Sequence, residues 1–170
     1  MSKIACVITS MFEDVEYTQP ADAFSKEGHE VTTIEWDAGK EVTGKQGEAT
    51  VLIDASINDV DPEDFDALFI PGGFSPDQLR VDEKFVKFAK HFMDNKKPVF
   101  AICHGPQLLI TAKTLEGRKA TCYKSIAVDL EYAGVTYKDE EVVVCGNQLV
   151  TSRQPDDIPA FNREANKLLK

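Results

Sequence analysis

Pro98-Val99-Phe100-Ala101-Ile102-Cys103-His104-Gly105-Pro106-Gln107 joins two structural signals within a few residues. The apolar run Pro98 to Ile102 suits a buried strand, and Pro106 stands where a proline is favoured, at the first position of a helix running on to Leu115. A strand that turns directly into a helix is the repeating unit of an α/β fold. The same alternation extends outward in both directions. Upstream, Asp66 to Ile70 is a strand closed by Pro71-Gly72-Gly73, and Phe85, Phe88, Ala89 and Phe92 recur at helical spacing.

Towards the start, Lys3 to Thr9 reads as a buried strand and Glu30 to Trp36 as a second, β-branched one. Between them a helical segment stops at Gly28. Pro20 lies inside that segment and a helix interior excludes proline, so the regular helix is expected near Thr18 or Gln19, with Glu13 to Tyr17 in the connection. Gly39 to Ile53, punctuated by Gly44 and Gly47, reads as a hairpin. Beyond the central elbow, Val135 to Tyr137, Glu141 to Cys145 and Gln148 to Ser152 read as short strands, the last two joined across Gly146-Asn147. Asp156 to Leu169 forms a closing helix. Buried strands alternating with helices predict one flavodoxin-like α/β domain over residues 1–170, a three-layer sandwich with a mostly parallel central sheet.

A chain of 170 residues has the size of one domain, and its 42% hydrophobic and 28% charged content is that of an ordinary globular protein. The formal net charge of −10 repels phosphate backbones and anionic membrane surfaces, which argues against nucleic acid or a membrane as partner. No apolar run reaches the roughly 18 to 20 residues of a membrane span, and neither a signal peptide nor an anchor is read. Cys6, Cys103, Cys122 and Cys145 are far apart, with no zinc or disulfide spacing. A reducing, cytoplasmic setting fits, and metal binding has no support.

In open parallel sheets ligands bind outside the carboxyl ends of the strands. Three such ends stand out: Phe12-Glu13-Asp14, Pro71-Gly72-Gly73 and Ala101-Ile102-Cys103-His104-Gly105. Small residues two before and two after a nucleophile are what a sharp strand-to-helix elbow requires, and Ala101 and Gly105 flank Cys103 in that way. The free amides and dipole at the start of the following helix favour a thiolate, so Cys103 is expected to be reactive. The competing reading is a cysteine packed as a small hydrophobe, which stands for Cys6, Cys122 and Cys145. Gly72 and Gly73 form either a tight turn or an oxyanion hole of backbone amides. Glu13 is either a solvated acid or a carboxyl held protonated beside the sulfur. His104 adjoins the thiol in sequence, but neighbouring side chains seldom point the same way, so a simple dyad needs unusual backbone geometry. Arg153 is either an anchor for an anionic substrate or a member of a surface ion pair.

Together, Ala101-Ile102-Cys103-His104-Gly105-Pro106-Gln107, Pro71-Gly72-Gly73 and Phe12-Glu13-Asp14-Val15-Glu16 resemble the ThiJ/PfpI family, in particular its intracellular-protease-like branch. Thr151-Ser152-Arg153 with Pro155-Asp156-Asp157 is similar to the bacterial stress proteins of that family. The resemblance implies a cofactor-free homodimer or higher oligomer with Cys103 as nucleophile and His104 as its partner. It also implies Glu13 as the protonated acid bonded to the thiolate, and Gly73 as an oxyanion amide. Asp77, supplied by the neighbouring subunit, stands where protease-like members carry a longer glutamate, and Tyr123 falls at an active-site tyrosine. Expected substrates are reactive carbonyls such as methylglyoxal or their protein adducts. Peptide hydrolysis and a redox-sensor or holdase role built on Cys103 are the alternatives. A glutamine amidotransferase is excluded because no histidine follows His104, and a flavodoxin because acidic Glu13, Asp14 and Glu16 occupy its phosphate loop. A response regulator would carry an aspartate where Pro71-Gly72-Gly73 stands.

Overall fold

The structure is a computed structural model and describes residues 1–169. The chain opens with β1 (Lys3–Val7), α1 (Asp14–Lys26) and β2 (Glu30–Glu35), followed by a hairpin of β3 (Glu41–Thr43) and β4 (Thr50–Leu52). Next come the short β5 (Ala55–Ser56), β6 (Ala67–Ile70), α2 (Ser75–Leu79), α3 (Glu83–Asp94), β7 (Val99–Ile102) and α4 (Pro106–Thr111). The remainder is β8 (Lys119–Ala120), α5 (Ala127–Tyr132), β9 (Thr136–Tyr137), β10 (Val143–Cys145), β11 (Leu149–Ser152) and α6 (Ile158–Leu168).

The main sheet runs β10-β11-β7-β6-β1-β2-β5, parallel throughout except for the β10–β11 pair. Without the short edge strands its order is that of a flavodoxin-like sheet, with strand order reversing between β1 and β6. The loops after β1, β6 and β7 therefore open side by side at the reversal. Alternate strand residues face opposite layers. Val7, Leu68, Ile70 and Ala101 pack with Phe85, Phe88, Ala89 and Phe92 of α3, while Cys6, Phe69, Phe100 and Ile102 pack with Phe24 of α1 and Phe161 of α6. Burial on both faces explains why these strands read as continuous apolar runs. Gly146 and Asn147, at φ 62° and 51°, form the tight turn between β10 and β11, as their sequence implies. No helix among the described residues is long and apolar enough to cross a membrane.

Several elements depart from the sequence expectation. α1 begins at Asp14 and runs through Pro20, which is buried within it. Proline there costs about 3 kcal/mol in an isolated helix, but the buried side chains of Asp14 and Glu16 fix the first turn through contacts outside it. α4 stops at Thr111 rather than near Leu115, because Lys113 adopts a left-handed φ of 58°. β9 pairs with β8 in a separate two-stranded sheet, and the short helices α2 and α5 lack the long periodic pattern that announces a helix.

Candidate active site

β7 carries four fully buried residues to the sheet edge, and the chain then bends at Cys103, whose φ is +63°. An L-residue pays about 1–2 kcal/mol for that conformation, so surrounding bonds must enforce it. They do: the Cys103 amide donates to the Ser152 carbonyl at 2.9 Å, the Gly105 amide to Ile102 at 2.9 Å, and the Tyr123 amide to the Cys103 carbonyl at 2.9 Å. A Cβ on Gly105 would lie 2.6 Å from the Ile70 carbonyl oxygen and 3.0 Å from the Ile102 amide, both backbone atoms that cannot swing away. Gly105→Ala is therefore expected to destabilise the protein by about 2 kcal/mol, read as a lower urea midpoint with an unchanged slope.

The bent backbone answers the objection to a dyad. It turns the side chains of adjacent residues towards each other, bringing His104 Nδ1 to 3.3 Å from Cys103 Sγ. Tyr123 stacks on the imidazole with ring centroids 5.3 Å apart, and Ser125 Oγ lies 3.2 Å from Nε2. When Nε2 carries the ring proton it donates to Ser125, leaving Nδ1 free to accept from the thiol. Burial, with Lys45 nearby, lowers the histidine below its ordinary value, which keeps the imidazole neutral and basic in form.

The acid beside the sulfur is Glu16, not Glu13. Glu16 is fully buried, its Oε1 accepts from the Gly72 amide at 3.1 Å, its Oε2 has no hydrogen-bond partner, and both its carboxyl and the Cys103 side chain crowd against Gly72. Burial, reinforced by the Glu13 charge, pushes Glu16 up to about 8, so it holds a proton at neutral pH. Because α1 starts at Asp14, Glu16 sits in the first helical turn and points into the fold. Glu13 remains at the cleft wall, where it pairs with Lys45 at 3.0 Å and accepts from Gln46 Nε2 at 3.3 Å. Gly72 is the residue that admits Glu16: a Cβ there would overlap its carboxyl and lie 2.6 Å from the Cys103 Cβ.

Gly73 adopts φ +79°, locked by a bridge to Phe12, and its amide and that of His104 favour charge on the Cys103 sulfur. Burial pushes the thiol above its ordinary value, a charge on Glu16 adds to this, and the two amides pull it down without reversing it. The start of α4 favours a thiolate, as the sequence implies, but burial works against it. Cys103 is only 8% exposed, and desolvation outweighs the field of a helix of six residues.

Arg153 is not among the cleft residues, and of its two readings the structure shows the ion pair. Its guanidinium grips Asp157 through two bonds of 2.9 Å and Asp139 at 3.0 Å, tying the end of β11 to the start of α6 and to the β9–β10 loop. Asp77 is exposed on α2, and its charge acts on His104 within the same chain, whereas Ser125 occupies the hydrogen-bonding position on the ring. Lys45 and Ser125 are cleft residues that the sequence reading missed. Lys45 is carried by the β3–β4 loop, which is clamped by the buried Asp14 carboxylate through the amides of Gln46, Glu48 and Ala49 at 2.8–2.9 Å. Cys103, His104, Glu16, Glu13, Lys45 and Tyr123 share one open cleft of about 590 Å³. Among the described residues no group of three or more His, Cys, Asp or Glu is placed to hold a metal ion.

The DJ-1/PfpI family model matches residues 2–168. The chain belongs to the DJ-1/PfpI family. This DJ-1/PfpI chain is 68% identical over 168 residues to General stress protein 18 of Bacillus subtilis, covering 99% of this chain and 98% of that one. It is 61% identical over 167 residues to Protein/nucleic acid deglycase 2 of Escherichia coli, covering 98% and 97%. Among solved structures, it superimposes with a TM-score of 0.96 at 35% identity on a two-domain protein from Anabaena variabilis containing DJ-1/ThiJ/PfpI-like and ferritin-like domains. The match covers 99% of this DJ-1/PfpI chain and 48% of that one.

Proposed function

We propose that this DJ-1/PfpI protein is a cofactor-free, cysteine-dependent enzyme acting on reactive carbonyls, either small aldehydes such as methylglyoxal or their adducts on protein side chains. The observation that carries the reading is the strained Cys103 elbow, with a neutral histidine 3.3 Å from its sulfur, opening into a cleft of about 590 Å³. That volume admits a three-carbon dicarbonyl with room for the peptide side chain of an adduct. The E. coli relative's name, a deglycase, supports the same class of chemistry.

In the proposed sequence, His104 Nδ1 accepts the thiol proton as the Cys103 sulfur bonds to the aldehyde carbon, and the carbonyl π electrons move to oxygen. The Gly73 amide meets the developing oxyanion, and the protonated Glu16 steadies the sulfur by hydrogen bonding. His104 returns that proton to the oxyanion, closing a hemithioacetal. It then takes the proton from the carbon bonded to sulfur and delivers it to the neighbouring carbonyl carbon, while the hydroxyl proton passes from the first oxygen to the second, giving a lactoyl thioester. Water cleaves the thioester to lactate and returns the thiol. The oxidation of one carbon is balanced by reduction of its neighbour, so no external electron acceptor is required. Assembly as a homodimer or larger oligomer in a cytoplasmic setting is part of the proposal, with Asp77 of one copy approaching His104 of the next. The net charge of −10 favours protein adducts over nucleic acid ones.

The test is a substrate survey with no added cofactor: methylglyoxal, a methylglyoxal-modified arginine peptide and fluorogenic peptides. Lactate release, or recovery of unmodified peptide, at a rate well above buffer is expected. Cleavage of the peptide bond alone would replace this reading with a hydrolase. Selective peroxide oxidation of Cys103 with no turnover of any substrate would replace it with a sensor.

A further inference from the structure

Lys45 is the one cationic side chain among the residues that line the cleft, and nothing in the proposed proton transfers uses it. Its ammonium lies 3.0 Å from Glu13 and 5.5 Å from the centre of the Phe74 ring, with its side chain about one-third exposed. The loop that carries it is no loose excursion. Its amide is bonded to the Phe12 carbonyl at 2.8 Å, and the following residues hang on the Asp14 carboxylate. A Cβ on Gly44 would overlap that carboxylate, so the glycine before Lys45 permits the clamp. Burial pushes Asp14 up, but the three amides outweigh this and hold it below its usual range, so the clamp stays charged through the neutral region.

The charged and titratable groups facing Cys103 come from every side of the cleft. Glu13 and Glu16 lie at the start of α1, Lys45 on the hairpin, Asp77 on α2, His104 and Tyr123 beside the elbow, and Asp156 after β11. With Glu16 protonated, the remaining carboxylates Glu13, Asp77 and Asp156 are negative and oppose a sulfur anion, and Lys45 is the one positive charge among these groups. We infer that Lys45, presented by the Asp14 clamp, is a positioning residue that supplies the positive field sustaining the Cys103 thiolate once His104 has taken its proton. The inference rests on the proposed nucleophilic role of Cys103. Lys45 is held above its ordinary value first by its bond to Glu13 and, to a lesser degree, by charge on the Cys103 sulfur, which agrees with this geometry.

The experiment is the pH dependence of Cys103 alkylation by iodoacetamide, followed at that residue by peptide mass spectrometry between pH 7.5 and 10. Above pH 7.5 the histidine is neutral with or without Lys45, and repeating the comparison in a Glu16→Gln background removes the one other group at the sulfur that titrates in this window, so the direct effect on sulfur is isolated. Lys45→Met is expected to displace the profile by about one unit towards alkaline pH, and Lys45→Arg to leave it close to wild type. The thiolate becomes about tenfold scarcer at a given pH but intrinsically more nucleophilic, so the rate itself falls only about threefold and the profile is the sharper readout. Asp14→Asn is expected to shift the profile in the same direction by releasing the loop.

Glu13 loses its partner in Lys45→Met, and its freed charge would act in the same sense. The Glu13→Gln/Lys45→Met double variant, compared with Glu13→Gln, separates the two effects and is expected to keep the alkaline displacement. A Lys45→Met profile superimposing on wild type would overturn the inference, as would a displacement that vanishes in the Glu13→Gln background. Wild-type Cys103 that resists alkylation at every pH would instead overturn the nucleophile reading, and the inference with it.

Discussion

Cys103→Ala is expected to abolish carbonyl turnover, lowering the rate by at least about a thousandfold while leaving the fold intact. The sulfur is the atom towards which the site converges: the His104 ring lies 3.3 Å from it, and Glu16 and the Gly73 and His104 amides all act on its charge. Alanine keeps the Cβ, and with it the backbone bonds that define the elbow, so loss of rate is separable from loss of structure. One rival nucleophile is within reach of the same histidine, the exposed Ser125 hydroxyl 3.2 Å from Nε2. A Cys103→Ala protein that retains turnover and loses it on further replacement of Ser125 would move the chemistry to the serine. The measurement is initial lactate formation by single and double variants, with circular dichroism confirming the fold.

The second large effect concerns Glu16 and is visible in stability as well as rate. Its folded value of about 8 lies well above the 4.5 of an unperturbed glutamate. Between those values the folded protein binds the proton and the unfolded chain does not, so stability falls as pH rises through that window. The stabilising contribution is complete below about pH 4.5 and is lost by about pH 8, an expected decline of order 5 kcal/mol from this one residue. Glu16→Gln cannot titrate, yet its Oε1 still accepts from Gly72 and its amide still donates to sulfur. The variant should therefore gain several kcal/mol on wild type between pH 5 and pH 8, as read from urea unfolding at the two values. Wild-type turnover should decline above about pH 8 as Glu16 ionises, and the variant should lack that decline. Parallel stability curves for the two proteins would show that Glu16 is not the buried proton reservoir. Glu16→Leu, which removes the donor altogether, should cost about a hundredfold in rate.

The fold was legible because its strands are buried on both faces and so spell themselves as unbroken apolar runs, each ended by a turn residue. Phe85, Phe88, Ala89 and Phe92 fixed α3 by the same logic, since all four face the sheet. Cys103 and Gly105 could be read because an elbow demands a small neighbour at a set offset. The acid was misassigned for a local reason with a tertiary cause. Pro20 argued for a late helix start, whereas contacts of Asp14 with the hairpin outweigh its cost, and the earlier start rotates Glu16 inward and Glu13 outward. Lys45 and Ser125 were invisible for another reason. Each reaches the cleft through a loop whose placement depends on residues far away in sequence, the Asp14 carboxylate for one and the Tyr123–Cys103 backbone bond for the other. The hydrophobic pattern holds no trace of such long-range ties.

The left-handed backbone at Cys103 carries an implication for the history of such a molecule. Glycine adopts that conformation without steric penalty, so the residue that would remove the proposed nucleophile is also the one the local φ accepts most readily, by about 1 kcal/mol. Against that gain stand the packing of a sulfur that is only 8% exposed and the greater freedom glycine gives the unfolded chain, so a population screened only for heat tolerance would feel little pull either way. Retention of cysteine at that bend would then have to rest on what the sulfur does rather than on durability.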